Sequence, residues 1–296
     1  MGERFERVAI LGLGLMGASL GMALRAGGSA RAVAGYDAAA GVAERALVRD
    51  AVDVACGTVA QALEGAELVV LAAPPLALRD LLRELGPQLA EHAVVTDVAS
   101  TKAAVASWAE ELLPRPERFV GGHPMTGKEQ SGVAAAEAAL YRGCVWCLTP
   151  TARTAPEALA YVQGLVAALG ARPVVLTAER HDAAVAAISH LPRVAAAALM
   201  LTAAGDPSWP EAHMLAAGGF RDTTRVAGGD ARMARDICLT NPGPLVACLD
   251  AYIERLRTLR DQIATGDAAL AATFAAARAR REEWQQARDA TTNSKS

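Results

Sequence analysis

The segment VAILGLGLMG, residues 8–17, constrains the fold more than any other stretch of the chain. An apolar β-type run leads directly into glycines with the spacing GxGxxG, and a helical stretch follows. In such a turn the first glycine, Gly12, allows a tight bend, the second, Gly14, lets the backbone approach a pyrophosphate, and the third, Gly17, lets helix and strand pack closely. The helix N-terminus then faces negative charge. We therefore predict a dinucleotide site whose other contacts in this turn are Leu13, Leu15 and Met16.

The next predicted strand, AVAGYD, ends at Asp37, twenty residues after Gly17. An aspartate at this place can bond both ribose hydroxyls and would repel a 2′-phosphate, and no arginine follows it closely. NAD is therefore the predicted cofactor. Because methyltransferases use similar glycine turns, that class stays open at this point. Later strand ends supply the remaining predicted cofactor contacts, which are Ala73, Pro74, Ser100 and Lys102.

Two kinds of segment alternate through the first part of the chain. Seven short β-rich runs are separated mostly by alanine-, leucine- and glutamate-rich stretches with helical spacing. This alternation predicts an α/β Rossmann domain over residues 1–177, a mostly parallel, doubly wound sheet with helices on both faces. From residue 178 the β-rich runs stop, and we predict an all-α helical substrate and dimerisation domain over residues 178–288. Residues 289–296 are predicted to be a disordered tail.

The helical half carries several boundary residues. Pro192 should kink its helix or lie at a turn, and Asn241 followed by Pro242 has the pattern of a helix start. The helix that follows has apolar residues at steps of four and three, a coiled-coil-like seam that could pack inside the subunit or against a second one. The seam consists of Leu245, Leu249, Tyr252, Leu256, Leu259 and Ile263. Asp267 is the predicted cap of the last helix.

Composition excludes several classes of function. A net charge of −3 with no basic block argues against nucleic acid or an anionic membrane as a partner. The N-terminal apolar run lacks the positive region of a signal peptide, because Glu3 and Glu6 precede it. The other apolar runs are short or interrupted by charge, so we predict no membrane span and a cytoplasmic protein. Cys144 and Cys147 form a CxxC without a second pair, which favours buried thiols over a metal site.

The segment FVGGHPMTGKEQSG, residues 119–132, places His123 on a bent loop between glycines and a proline. A histidine there could be a turn residue with no further task or a base held toward a substrate. Ligands in such sheets lie outside the carboxyl ends of the strands. We therefore expect this loop on the ligand side of the domain.

Five segments, in order along the chain, resemble the prephenate/arogenate dehydrogenase family of tyrosine biosynthesis: GLGLMGASL, DVASTK, GGHPMTGKEQSG, HDAAVAAISHLP and GGFRDTTRVAGGD. The resemblance spans about residues 7–260. It implies a Rossmann domain, a helical dimerisation domain, a homodimer and NAD(P)-dependent oxidative decarboxylation of prephenate or arogenate. A β-hydroxyacid dehydrogenase is an alternative on the glycine motif, but its K-x-x-N-N pattern is missing from the sequence. A protein that senses NAD without turnover is another.

The resemblance also implies roles for individual residues. His123 matches the catalytic histidine, Ser100 an active-site serine near it, and Arg225 the arginine that holds the ring carboxylate. Gly218 lies in the glycine segment that lines the pocket. Two positions depart from the family pattern, since Arg193 replaces a substrate-side histidine and Lys128 stands where many members have threonine or serine. Both are predicted substrate contacts and favour prephenate over arogenate through charge. The roles of His181, which capping alone explains, and of His190, a core or pocket residue, stay open.

Overall fold

The computed structural model describes residues 5–128 and 130–293, with side chains to residue 290. A single sheet of eight strands forms the centre of the larger part of the chain. Seven strands coincide with the predicted β-rich runs, and the short third strand was not predicted. The strands are β1 (Phe5–Leu11), β2 (Ala30–Tyr36), β3 (Val54–Cys56), β4 (Leu68–Leu71), β5 (Val94–Asp97), β6 (Phe119–Pro124), β7 (Val145–Thr149) and β8 (Arg172–Val175).

The sheet is mostly parallel, with the order β3-β2-β1-β4-β5-β6-β7-β8. Only β6 and β7 pair antiparallel, with His123 opposite Cys147. Parallel neighbours need a crossover connection that is usually an α-helix, whereas the described residues between these strands, 125–128 and 130–144, hold one short 3₁₀ turn and no α-helix. The strand order reverses beside β1, the arrangement in which ligands bind outside the carboxyl ends of the strands. The prediction of a Rossmann sheet is confirmed.

Helices within residues 15–168 cover both faces of this sheet. Successive strand residues point to opposite faces, so Ile10 and Val70 join one apolar cluster while Leu11 and Leu71 join the other. The helices are α1 (Leu15–Ala26), α2 (Val42–Val48), α3 (Val59–Leu63), α4 (Pro75–Leu85), α5 (Ala103–Leu112), α6 (Pro156–Ala168), α7 (Ala178–Val185), α8 (Leu191–Ala204), α9 (Trp209–Leu215), α10 (Gly218–Thr224), α11 (Ala231–Thr240), α12 (Pro242–Thr265) and α13 (Ala269–Asn293).

A π-helical turn, Ala186–His190, joins α7 to α8 directly before Pro192. Proline cannot donate a backbone hydrogen bond, and the widened turn accommodates it, as predicted. The continuous helical stretch Ala178–Ala204 has 27 residues and a mean hydropathy of 1.6 in its most apolar window, so by length and composition it could cross a membrane. This differs from the expectation of no such stretch. Its alanines raise the hydropathy, yet Asp182 within it is buried by protein and hydrogen-bonded to α5.

The chain divides into two compact units, with the boundary between Leu245 and Val246. The smaller unit holds most of α12 and all of α13, and Asp267 accepts a hydrogen bond from Ala269 N (2.8 Å), as expected of a cap. α13 continues to Asn293, so it includes the first part of the predicted disordered tail, and residues 294–296 lie outside the described residues.

α12 begins at Pro242, as predicted from the Asn-Pro pair. The side chain of Asn241 has another use than the predicted cap, however. Its Nδ2 donates to the Asp182 carbonyl oxygen (2.8 Å) and lies 3.2 Å from His190 Nδ1. All five cysteines are free thiols, and within the described residues no cluster of His, Cys, Asp or Glu could hold a metal ion.

Candidate active site

The glycine turn has the geometry that a pyrophosphate requires. Gly12 has a φ of +101°, and a Cβ atom there would lie 2.5 Å from the Ala72 carbonyl oxygen. A Cβ atom on Gly17 would lie 1.9 Å from the Gly12 carbonyl oxygen, so this glycine allows the close packing of α1 on the turn. Gly14 faces open space, with nothing within 4 Å of a built Cβ. The open backbone at the N-terminus of α1 is therefore where a phosphate can approach.

Asp37 is fixed at the end of β2 by two backbone amides. Its carboxylate accepts hydrogen bonds from Leu13 N (2.7 Å) and Ala39 N (2.9 Å). The side chain remains partly exposed, so each oxygen can still accept a ribose hydroxyl. This is the arrangement that the sequence predicts for NAD.

Two of the predicted cofactor contacts are buried in the structure. Leu13 is fully buried, because its side chain packs under Gly35 in the core and its amide is taken by Asp37. Lys102 also has no exposed surface. Neither residue is available to a cofactor in this geometry. Leu15, Met16, Ala73 and Pro74 are partly exposed at the turn and at the end of β4, as expected.

Lys102 instead forms a buried clamp with Asp97. Its ammonium group donates to the Asp97 carboxylate and to the Gly122 carbonyl oxygen (2.6 Å). Asp97 in turn accepts from Gly122 N (3.0 Å) and Ala99 N (2.9 Å). Both backbone polar groups of the residue before His123 are therefore held by one ion pair. Ser100, partly exposed, lies in the same β5–α5 connection.

His123 lies on β6 rather than on the predicted loop, at the carboxyl end of the strand. Its Nδ1 is 2.8 Å from His181 Nε2, and the two rings meet edge to face with centroids 5.0 Å apart. Burial above all, and then the nearby His181, Lys102 and His190, hold the pKa of His123 well below its ordinary value. The imidazole is therefore neutral at neutral pH, which is the state that accepts a proton.

His181 and Asp182 complete a chain that sequence reasoning missed. His181 Nδ1 lies 2.8 Å from Asp182 Oδ1, and both residues are about 1% exposed. Asp182 also accepts from Lys102 N (2.8 Å) and Ala103 N (2.9 Å), the first amides of α5. The motif HDAAV contained both residues. In the sequence His181 stands at a helix start, where capping alone explains a histidine. Its histidine partner, His123, lies 58 positions away, so the sequence does not link the two.

His190 is the third histidine of this cluster and, like His181, it is buried. Its Nδ1 faces Asn241, and its Nε2 is buried without a hydrogen-bond partner among the described residues. Burial lowers the pKa of His190 to about 4, with Arg193 and His181 contributing, while Asp182 opposes the shift. Arg193 lies close by and packs against Gly229, where a Cβ atom would meet its Nη1 at 2.5 Å.

The remaining predicted substrate contacts lie on separate elements. Arg225 begins a 3₁₀ turn that follows α10 and packs on α8, which carries Arg193. Gly218 is the first residue of α10. Lys128 is paired with Glu137 (2.7 Å) on the segment after β6, so its charge is partly neutralised there. The structure thus gathers His123, His181, His190 and Arg193, while the roles of Gly218, Arg225 and Lys128 stay predictions.

A Rossmann sheet with an open glycine turn, an anchored ribose aspartate and a neutral, partly buried histidine at a strand end defines a dinucleotide-dependent dehydrogenase. Residues 20–175 match the family model for the nucleotide-binding domain of prephenate dehydrogenase, and residues 177–276 match the model for its dimerization domain. The chain belongs to the prephenate dehydrogenase family. The predicted family and the predicted oxidoreductase class are confirmed.

Relatives with assigned names agree with this placement. The prephenate dehydrogenase of Bacillus subtilis is 33% identical over 270 residues, which cover 90% of this chain and 73% of the relative. The structure of A. aeolicus prephenate dehydrogenase with hydroxyphenyl propionate and NAD+ is similar with a TM-score of 0.88 and 30% identity, covering 94% of this chain and 98% of that one. Synechocystis arogenate dehydrogenase is also similar, with a TM-score of 0.80, 34% identity and coverage of 94% and 99%.

Proposed function

We propose that this protein is an NAD-dependent prephenate dehydrogenase that converts prephenate to 4-hydroxyphenylpyruvate and CO2 in tyrosine biosynthesis. The observation that carries the proposal is the neutral, partly buried His123 at the carboxyl end of β6, on the edge of the sheet where the glycine turn and Asp37 lie. Family membership narrows the chemistry to a cyclohexadiene ring, since relatives are named for prephenate or arogenate.

The reaction gives His123 a defined task. In the proposed reaction the ring loses a hydride from C4, and the 4-hydroxyl proton passes to the imidazole. Loss of CO2 leaves its bonding electron pair in the ring, which becomes aromatic, and the phenolate oxygen takes the proton back. His123 therefore acts as base and then as acid, and no net proton is released. Ser100, in the connection that holds Lys102, is proposed to orient this exchange.

NAD, when bound, accepts the hydride. Gly12, Gly14 and the N-terminus of α1 would hold its pyrophosphate, and Asp37 would accept its ribose hydroxyls. Holding hydride donor and acceptor about 3–3.5 Å apart supplies much of the remaining rate enhancement. A relative solved with NAD+ supports this choice of cofactor.

Arg193 and Arg225 are the proposed carboxylate contacts. A guanidinium can grip a carboxylate with two parallel hydrogen bonds, and prephenate has two carboxylates. Arogenate carries an ammonium group on its side chain, so a cation facing that side chain disfavours it. Arg193 packs against Gly229 near His190. Its positive charge at this position supports prephenate as the preferred substrate. Lys128 contributes less in this proposal, since Glu137 already pairs with it.

The proposed organisation is a homodimer in the cytoplasm. The match to a dimerization domain supports self-association, as do the exposed apolar side chains Tyr252, Leu256 and Ile263 on α12. Five free cysteines suit a reducing compartment. We keep the proposed domain boundary at residues 177 and 178, because the last strand ends at Val175 and the two family models meet there.

The test is NADH production, followed by its absorbance, with prephenate and with arogenate as substrates. A larger kcat/KM for prephenate is expected, and a larger value for arogenate would reverse the substrate assignment. His123→Asn should lower kcat by roughly 10²–10⁴-fold. Wild-type turnover in that variant would remove His123 as the base. His92→Asn, on the surface of a different connection, is the matched control and should keep full activity.

A further inference from the structure

The buried pair His181–Asp182 stands directly behind His123. The three groups form one line, from Asp182 Oδ1 to His181 Nδ1 (2.8 Å) and from His181 Nε2 to His123 Nδ1 (2.8 Å). The edge-to-face meeting of the two rings, at an angle of 73°, suits a hydrogen bond between their nitrogens. Among the described residues no hydrogen-bond partner contacts the other nitrogen of His123, Nε2, so this nitrogen can face a ligand.

The protons in this line can be assigned from its far end. Asp182 accepts two backbone N–H donors at the N-terminus of α5, so its carboxylate is held as an acceptor there. It can therefore accept a third proton donor, His181 Nδ1–H. A neutral imidazole carries one proton, so His181 Nε2 is then an acceptor, and His123 Nδ1 must donate to it. The lone pair of His123 consequently lies on Nε2.

We propose that His181 and Asp182 are positioning residues that fix the reactive tautomer of His123 and offset the positive charge it gains in the reaction. This inference rests on the proposed function in one respect only, namely that His123 is the base. When Nε2 takes the hydroxyl proton, the O–H bond breaks, an N–H bond forms, and His123 becomes a cation. Its Nδ1–H then points through His181 at a buried carboxylate, which makes that cation less costly.

Other charged and titratable groups surround His123, and two of them, Lys102 and His190, act against such a cation, so the offset is needed. Lys102, in the β5–α5 connection, is paired with Asp97, His190 lies in the π turn, and Cys147 lies opposite His123 on β7. Among these only Asp97 is anionic, and the ammonium group of Lys102 already occupies it. Asp182 is the carboxylate that the hydrogen-bond line connects to His123.

The alternative is that Asp182 only caps α5, and Asp182→Asn separates the two. Asparagine keeps one oxygen for the two α5 amides, so a role limited to holding α5 predicts lower stability with little change in kcat. If Asp182 fixes the tautomer, the amide donates to His181 Nδ1, the proton of His181 moves to Nε2, and His123 is left with its lone pair on Nδ1. We expect kcat to fall roughly 10²–10⁴-fold with KM for prephenate and NAD within about threefold.

Asp53→Asn is the matched control. Asp53 is also an aspartate that accepts a backbone amide, Val33 N (2.8 Å), and it lies on the opposite side of the sheet order, beside β3. This variant should keep wild-type kcat. Activity of Asp182→Asn within about threefold of wild type would overturn the proposal.

His181→Gln covers the case in which Asp182→Asn does not fold. Its Oε1 can still accept from His123 Nδ1, but it cannot link that proton to the carboxylate. We therefore expect kcat to fall roughly tenfold with KM for prephenate within about threefold. An unchanged kcat would refute the role of His181.

A tautomer measurement does not depend on turnover. The chain has five histidines, so imidazole ¹⁵N spectra of histidine-labelled protein can be assigned with single variants. We expect His123 protonated on Nδ1 in the wild type and on Nε2 in Asp182→Asn, and the opposite tautomer in the wild type would overturn the inference. Failure of the wild type to oxidise prephenate or arogenate would instead refute the proposed function and leave this result to decide the inference.

Discussion

Replacement of Lys102 by methionine should destabilise the protein strongly. The side chains of Lys102 and Asp97 are both fully buried, and their ion pair is the only charge compensation that the described residues give to Asp97. Without the ammonium group, Asp97 keeps only the amides of Ala99 and Gly122, while the Gly122 carbonyl oxygen loses its donor. Removing one member of a buried pair costs roughly 3–5 kcal/mol.

The second half of the experiment is Lys102→Met combined with Asp97→Asn. With both charges gone no buried charge stays uncompensated, and such replacements are often nearly neutral. Burial lowers the pKa of Lys102 despite Asp97, which indicates that removing the ammonium group from water costs more free energy than its attraction to Asp97 recovers. We therefore expect the double variant to be no less stable than either single variant, a coupling of roughly 3 kcal/mol.

Urea unfolding followed by circular dichroism, at one fixed protein concentration, measures these free energies. The matched surface pair is Arg83 and Asp80, which are 2.9 Å apart and exposed, and breaking it should cost less than about 1 kcal/mol. If the losses in free energy of unfolding from the two buried substitutions simply add, the ion pair does not act as a unit and does not clamp Gly122 as we infer.

Three further predictions concern the cofactor turn, pH and the substrate side. Gly14→Ala should fold normally, because its Cβ meets no protein atom, yet it should raise KM for NAD. Gly17→Ala should unfold at a lower urea concentration, because its Cβ would lie 1.9 Å from a carbonyl oxygen. Equal urea midpoints for the two variants would contradict this. The free energy of unfolding should fall as pH drops from about 6.5 to 4. His190 has a pKa of about 4 in the folded protein, so over this range it binds a proton more readily in the unfolded chain. The contribution of His190 to this fall is at most roughly 3 kcal/mol, and His190→Gln should flatten the slope of a pH series. Arg193→Ala should raise KM for prephenate more than for arogenate, and an equal rise would place the guanidinium away from the substrate side chain.

The sheet could be predicted from the sequence because its determinants are local. Glycine spacing, apolar runs and the helical stretches between them each act over fewer than twenty residues, and together they specify a parallel sheet. The short strand Val54–Cys56 escaped prediction because three residues give no periodicity. The antiparallel pairing of β6 and β7 was likewise undetermined, since it depends on a long connection whose described residues form no α-helix.

The candidate site was only partly predictable. His123 could be identified from its motif, whereas the two residues that hold it in place, His181 and Asp182, could not. Lys102 was expected to face a cofactor, because lysines are usually exposed. The structure turns it inward to Asp97, five residues earlier, and to Gly122 on the next strand.

What the sequence by itself determined is the dinucleotide fold, the family and the identity of the histidine on β6. What only the tertiary structure decided is which nitrogen of that histidine is free. His181 and Asp182 are 58 and 59 positions from His123, and a hydrogen-bond line across such separations exists only after α7 has packed against α5 and β7. The position of a side-chain proton depends on which donors and acceptors lie nearby in space, and the order of residues along the chain does not specify those neighbours.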